Sequence, residues 1–355
     1  MGLRIFYSDT PKPKPTDELC LGFGDIFSDH MFVMYYEEGK GWIDPCIKPY
    51  DKIELDPAAM VLHYAQSIFE GLKAYRRKDG GINLFRPWDN FKRFNKSAKR
   101  MCMPEIDEKF VLECMKRLII VDKDWVPKTL GTSLYIRPTM FAIEPHLGVR
   151  PSKTYIFYII TSPVGAYYKE GLNPVKIYVE DFYVRAVPGG TGDVKTGGNY
   201  AASLFSSERA KAKGFTQVLW LDGVEHKYVE EVGTMNVFFV IDNELVTSPL
   251  TGSILPGITR DSVIHIANHW GIQVVERRIS IDEVVEKAQN GRLKEAFGTG
   301  TAAVISPIGQ ITYKEKDYII SGGRMGELSK RFYEEIIGIQ YGEKPDSYGW
   351  IYKVC

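Results

Sequence analysis

Between Pro188 and Gly198 the chain reads P-G-G-T-G-D-V-K-T-G-G, so a single lysine, Lys195, stands between two clusters of glycine. Glycine takes positive φ and lets the backbone pass close to a bulky group, so few folds accommodate this stretch. The spacing after it predicts a helix from Asn199 to Lys213, with Ala201, Leu204, Phe205 and Ala212 as its apolar stripe and Gly214 beyond its basic end. A strand over Thr216 to Leu221 follows. Lys195 is therefore expected at a strand-to-helix edge, where α/β proteins gather their sites. A lysine held and partly desolvated in such a turn acts as a carbonyl nucleophile, which suits a Schiff base. Taken alone, the same residues also describe a surface loop with a solvated lysine.

Better-known motifs fail one by one. A phosphate-binding P-loop needs glycine before its lysine, and Val194 stands there. Gly298, Gly300 and Ala303 match the dinucleotide fingerprint, but Val304-Ile305-Ser306-Pro307 reads as strand and turn rather than helix. His265 and His269 are four apart, yet Ile266 occupies the place of the zincin glutamate, which leaves a structural histidine pair and no metal site. No Cys/His cluster has metal spacing, and no G-x-S-x-G elbow is present.

At 355 residues the chain is long enough for two domains. Its 45 basic and 45 acidic side chains cancel, which argues against nucleic acid or a membrane surface as partner. The N-terminus shows no secretory apolar core, only an extended arm with Lys12, Lys14 and prolines 11, 13 and 15. The uncharged run Tyr155 to Tyr168 contains Pro163 and is too short to span a bilayer. Cys20, Cys46, Cys102, Cys114 and Cys355 form no C-x-x-C pair and read as reduced thiols of a cytoplasmic protein.

In order, the pattern predicts a hairpin over Asp29–Asp44, strands over Ser67–Arg76 and Ile82–Phe85, and a basic helix carrying Lys92, Arg93, Lys96, Lys99 and Arg100. An amphipathic helix over Asp107–Val121 and strands over Ser133–Phe141 and Tyr155–Thr161 complete a small N-terminal domain, residues 1–168. Residues 169–182 form the connection. Residues 183–355 alternate strand and helix, with helices at Gly257–Trp270, at Ser280–Gln289 behind a Ser280–Glu283 capping box, and at a C-terminal stripe of Leu328, Phe332, Ile336 and Ile339.

K-T-G-G-N-Y (residues 195–200) followed by E-V-G-T-M-N (231–236) resembles the signature of branched-chain amino-acid aminotransferases, enzymes of PLP-dependent fold type IV. The resemblance continues through LHYAQSIFEGLKAYR, LFRPWDNFKR, VDKDWVP, GTSLYIRP, VGAYY, ILPGITR and FGTGTA, almost end to end. It implies an α+β small domain and an α/β large domain with pyridoxal 5′-phosphate between them. It also implies transfer of the amino group of L-leucine, L-isoleucine or L-valine to 2-oxoglutarate, giving glutamate, by a homodimer.

Carried onto this chain, the resemblance makes Lys195 the Schiff-base lysine and proton carrier. It makes Tyr200 the partner of the cofactor's phenolic oxygen. Of the neighbouring acids Glu230 and Glu231, which point to opposite faces of a strand, it selects Glu231 for the pyridine nitrogen. An ordinary surface charge describes Glu230. The phosphate would rest on the helix start at Ile258 and Thr259, which the turn Leu255-Pro256-Gly257 also supports, with Arg93 and Thr301 added by resemblance. Thr234 belongs to both cofactor and substrate sites. The substrate wall would use Phe23, Tyr64, Phe69, Tyr135 and Tyr167, with Arg137 for glutamate's side-chain carboxylate and the amides of Thr301 and Ala302 for the α-carboxylate. Other fold type IV enzymes, a D-amino-acid aminotransferase or an aminodeoxychorismate lyase, are the nearest alternative.

Overall fold

The computed structural model describes residues 2–165 and 172–355, which fall into two units. The first comprises the described part of Met1–Tyr167, together with Lys195–Gly197 and Gly338–Cys355. The second comprises the described part of Tyr168–Val194 and Gly198–Ile337.

The first unit contains β1 (Arg4–Ile5), β2 (His30–Glu37), β3 (Gly41–Pro49), α1 (Met60–Tyr64), β4 (Ser67–Phe69), β5 (Leu72–Arg76), β6 (Ile82–Phe85), α2 (Pro87–Arg100), α3 (Glu108–Val121), β7 (Ser133–Ala142) and β8 (Thr154–Val164). Its strands run in the order β1-β3-β2-β8-β7-β5-β6, with a C-terminal strand beyond β6 and β4 on β7. The predicted run Ser67–Arg76 is split into β4 and β5 where Glu70 lies opposite Pro138, which has no N–H to donate, although the Glu70 amide still bonds the Pro138 carbonyl at 2.8 Å. Strand alternation divides this sheet into two faces. Leu72, Ala74, Leu134, Ile136, Phe157 and Ile159 point to one face and pack under Phe91, Phe94, Leu112, Met115 and Leu118 of α2 and α3. Pro87, Asn90, Phe91, Phe94, Ser97 and Ala98 recur at helical spacing and make the buried stripe of α2. Asp107 caps α3 by accepting the Phe110 amide at 3.0 Å.

The second unit contains β9 (Val175–Glu180), α4 (Gly197–Ala201, whose first residue counts with the first unit), α5 (Leu204–Ala212), β10 (Gln217–Leu221), β11 (Val229–Val232), β12 (Met235–Ile241), β13 (Glu244–Thr247), α6 (Ile258–His269), β14 (Val274–Glu276), α7 (Ile281–Gln289), β15 (Leu293–Gly300), β16 (Val304–Tyr313), β17 (Lys316–Ile319) and the start of α8 (Glu327–Tyr341); β18 (Ile351–Lys353) is the strand beyond β6. The sheet order is β11-β10-β9-β16-β15-β12-β13-β14, and a further pairing of β11 with β12 closes six strands into a ring. Closure leaves those six without a free edge and encloses Val175, Ile177, Leu219, Val232, Val237 and Ile308.

The single helix expected over Asn199–Lys213 is broken at Ala202 and Ser203 into α4 and α5. Its expected stripe is corrected as well: Leu204 and Phe205 are exposed, and Ser206 and Ala210 are the buried residues. Small side chains suffice on that face because Ala210 rests on Val218 and Trp220, while Phe205 meets the Tyr183 ring edge-on at 5.2 Å.

Candidate active site

Lys195 is fixed through its backbone. Its amide donates to Ser97 Oγ at 3.0 Å, and its carbonyl accepts from the Phe69 amide at 3.1 Å. Thr196 Oγ1 donates to the Ser67 carbonyl at 2.7 Å, so this short segment lies on β4 as an added piece of strand. Lys195 Nζ lies 4.9 Å from the centroid of the Phe69 ring. The glycines earlier in the loop serve close packing. Gly189 has φ of 82°, and a Cβ on Gly192 would overlap the Ser253 carbonyl and the Ala186 side chain. Asn199 ties the loop by donating to the carbonyls of Thr191 at 2.7 Å and Val194 at 2.9 Å.

Arg93, one of five charges on a basic helix, is the one that turns inward, while Lys92, Lys96, Lys99 and Arg100 are exposed. Its Nε and Nη2 donate to Glu70 Oε1 and Oε2 at 2.6 and 2.9 Å. Asn90 Nδ2 and the Gly71 amide add bonds to Glu70 at 2.8 and 3.1 Å. Burial pushes the Glu70 carboxyl up, but Arg93, Lys195 and Asn90 outweigh it and hold it below the usual carboxylate range. Sequence reasoning did not single out Glu70. Its signal was an acid next to the Gly71 break, with an inward arginine 23 residues on.

On the other face of the same sheet, Arg137 Nη2 donates to the Tyr135 hydroxyl at 3.1 Å and its guanidinium lies 4.7 Å from the Phe69 centroid. Phe23 meets Tyr135 edge-on at 4.8 Å. Phe23, Phe69, Tyr135 and Arg137 thus form one wall. Tyr64 stands apart at the end of α1, exposed, with its hydroxyl donating to the Leu147 carbonyl. Tyr167 lies outside the described residues.

In the second unit, Val232 pairs with Met235 across a two-residue turn, which sets Glu231 directly opposite Asn236. Gly233 in that turn has φ of 57°, and Thr234 is its exposed tip. The register carries the chemistry: Asn236 Nδ2 donates to Glu231 Oε1 at 3.0 Å and to the Leu255 carbonyl at 2.9 Å. Arg185, a second residue the sequence did not reveal, is ion-paired with Glu231 and donates to the Ser253 carbonyl at 2.9 Å.

Glu230 requires correction. It is no surface charge but a residue 8% exposed, on the opposite face of β11, accepting from Ser253 Oγ. Burial pushes its carboxyl up, with Ser253 and Arg185 pulling partly back.

Gly257 precedes the first turn of α6, where Ile258 and a buried Thr259 begin the helix. Thr301 and Ala302 form the partly exposed turn between Gly300 and Val304, which pair across β15 and β16. Tyr200 is a partly buried residue of α4. His265 and His269 are both exposed on α6, and no metal-holding cluster occurs among the described residues.

Each unit taken by itself carries chemistry that suits a phosphorylated aldehyde with a basic ring nitrogen: the first an amine on a fixed backbone and an oriented guanidinium, the second a helix start for an anion and a buried acid held by two donors.

Residues 67–311 match the family model of amino-transferase class IV. The chain is 56% identical over 353 residues to branched-chain-amino-acid aminotransferase 2 of Bacillus subtilis, covering 99% of this chain and 97% of that one. Its fold matches the crystal structure of an Escherichia coli branched-chain amino acid aminotransferase with a TM-score of 0.77 at 29% identity, over 91% of this chain and 99% of that chain. The T.th. branched-chain amino acid aminotransferase with pyridoxamine 5′-phosphate matches with a TM-score of 0.74 at 28% identity, over 91% and 98%. Expected from its motifs and met by fold and relatives alike, the chain belongs to the class IV aminotransferases, among the branched-chain-amino-acid enzymes.

Proposed function

We propose that this protein is a pyridoxal-phosphate-dependent transaminase that moves the amino group of L-leucine, L-isoleucine or L-valine reversibly to 2-oxoglutarate. The observation that carries this reading is the fixation of Lys195 by Phe69 and Ser97, with its amine over the Phe69 ring. When bound, pyridoxal phosphate supplies the aldehyde and the electron-accepting ring that make the amino acid's Cα acidic. Lys195 is the residue that would hold the aldehyde, and its free amine would take the proton from Cα. Glu231, oriented by Arg185 and Asn236, would hold the ring nitrogen. Arg93, Thr301 and the first amides of α6 at Ile258 and Thr259 receive the phosphate, and Tyr200 the phenolic oxygen. Phe23, Phe69 and Tyr135 would meet an apolar side chain, as would Thr234; Arg137 would take glutamate's distal carboxylate, and Thr301 and Ala302 would hold the α-carboxylate.

We also propose a homodimer. Leu62, Tyr64, Leu147 and Val149, all in the first unit, are exposed at 59%, 38%, 63% and 84%, and the Tyr64 hydroxyl meets the Leu147 carbonyl, so this apolar surface is available to a second copy. No described helix is long and apolar enough to cross a membrane, and the five thiols are free, as suits the cytoplasm.

The test is the visible spectrum of the purified protein. A yellow band that bleaches with L-leucine and returns with 2-oxoglutarate supports cofactor, stereochemistry and donor together. A band that ignores L-leucine and answers D-alanine moves the activity to another fold type IV enzyme. A protein that stays colourless after incubation with pyridoxal phosphate overturns the role of Lys195.

A further inference from the structure

The second unit holds a cleft of about 410 Å³, a volume in the range of small-molecule sites. It lies among the turn before β11, the residues that follow β13, and Arg278 beyond β14. None of the residues assigned above to cofactor or substrate lines it. Val224, Pro249 and Ile254 supply apolar wall, and Glu230 stands among them.

Glu230 is only 8% exposed. It is the extra residue of a bulge: Trp220 pairs with Glu231 and Leu221 with Val229, so Glu230 faces no residue of β10. Ser253 Oγ donates to one of its carboxylate oxygens, and the other meets no donor among the described residues. A carboxylate so buried calls for a counter-charge. Arg185 is committed elsewhere, to Glu231 and to the Ser253 carbonyl. Burial pushes the Glu230 carboxyl up, a shift that a facing cation reverses.

The other charges leave the cleft acidic. Asp222 spends both oxygens on the amides of Val224, Glu225, Lys227 and Tyr228, at 2.8 to 3.2 Å. Arg278 lies 3.6 Å from the Tyr228 ring centroid and is paired with Glu225 at 2.7 Å and Asp222 at 3.7 Å. One guanidinium therefore stands against three carboxylates, and Glu230 has no ion pair among the described residues. An occupant that suits this lining is apolar in body and positive at one end.

We infer that the cleft is a second, non-catalytic site for a small aliphatic ammonium compound, whose N–H donates to the open oxygen of Glu230 and whose chain lies on Val224, Pro249 and Ile254. The inference goes beyond the transaminase reading and stands without it. Two sources share this chemistry, an aliphatic amine and an aliphatic amino acid. Arg278 separates them, because only the amino acid brings a carboxylate for its guanidinium.

The experiment is calorimetric titration of the holoenzyme with a matched pair, N,N-dimethyl-3-methylbutylamine and N,N-dimethyl-L-leucine. Tertiary amines cannot condense with an aldehyde, so the heat reports binding apart from the chemistry of Lys195. The neutral counterpart is 3-methylbutanol. Wild type is expected to bind at least one of the pair about tenfold or more tightly than the alcohol, and E230Q to lose that preference with Tm nearly unchanged. Tighter binding of the dimethylleucine that falls to the level of the amine in R278M identifies an amino-acid site; tighter binding of the amine, indifferent to R278M, identifies an amine site. Wild type that takes neither compound better than 3-methylbutanol overturns the inference, and that result needs no variant to fold. A folded E230Q protein that binds both compounds as wild type does overturns it as well.

Discussion

Phe69 and Lys195 are joined twice, once by the Phe69 amide donating to the Lys195 carbonyl at 3.1 Å and once by the Lys195 amine resting 4.9 Å from the Phe69 ring centroid. The backbone bond holds the residue and the ring holds the direction of its side chain. Phe69→Leu keeps the first and removes the second. We expect kcat with leucine to fall about tenfold, the scale of a lost cation–π contact of about one to two kcal/mol, with Tm nearly unchanged. A Phe69→Leu enzyme with wild-type kcat would show that the ring does not aim the amine.

Glu70→Gln breaks a fully buried ion pair on one side only. Leaving Arg93 buried without its carboxylate should cost about 3–5 kcal/mol. The sign with pH follows from the lowered carboxyl: the pair's contribution is complete above the unfolded value of 4.5 and is lost as pH falls through the lower folded value. Urea titrations at pH 7 and pH 4 should show a wide gap between wild type and Glu70→Gln that closes on the acid side. A gap independent of pH would contradict this account.

Gly257→Ala tests how Glu231 is held. A Cβ there would overlap Asn236 Oδ1, although the backbone angles of Gly257, φ −71° and ψ 132°, suit any residue. Asn236 must then shift from Glu231, and retention of pyridoxal phosphate on dialysis should fall about tenfold, the worth of one hydrogen bond to a charged group. Gly198→Ala is the control, since nothing lies within 4 Å of its added Cβ. Equal retention by both variants would remove Asn236 from the account.

Lys73→Met should raise stability. Burial brings the Lys73 ammonium from 10.5 down to about 8, so the folded state disfavours the charged form. Tyr135 and Arg137 on β7 and Tyr75 on its own strand are the titratable or charged groups that share its face. Between about 8 and 10.5 the unfolded chain binds more protons than the folded one, so wild-type stability attributable to Lys73 rises with pH. At pH 7 Lys73→Met is expected to melt several degrees higher than wild type, with the difference shrinking by pH 10. A lower Tm at pH 7 would mean that Lys73 is chiefly a structural support.

What could be read from sequence was local. The Ser280 cap, the helix over Asp107–Val121 and the glycine turn before Lys195 each depend on residues within a few positions and form as expected, although the Glu283 carboxylate of the expected box turns to Arg277 instead. Alternation placed Glu230 and Glu231 on opposite faces, but it could not tell that β11 is buried on both, because the ring of six strands is closed by long-range pairing. Glu70 with Arg93 and Arg185 with Glu231 lie 23 and 46 residues apart, beyond any window of periodicity. Leu204 and Phe205 misled because apolar residues on a short helix need not be its buried side.

Lys195, Thr196 and Gly197 count with the first unit, although the residues immediately before and after them count with the second. The gene therefore cannot be divided at one point into two self-sufficient modules. Any single recombination crossover between codons 69 and 195 separates the lysine from the Ser67–Phe69 strand against which it forms, and must supply a compatible strand from the other parent. Inheritance of the reactive residue and of its seat is thus tied together. Chimeras among relatives should tolerate exchanges that keep residues 67–69 and 195–197 from one parent and fail where the two come from different ones.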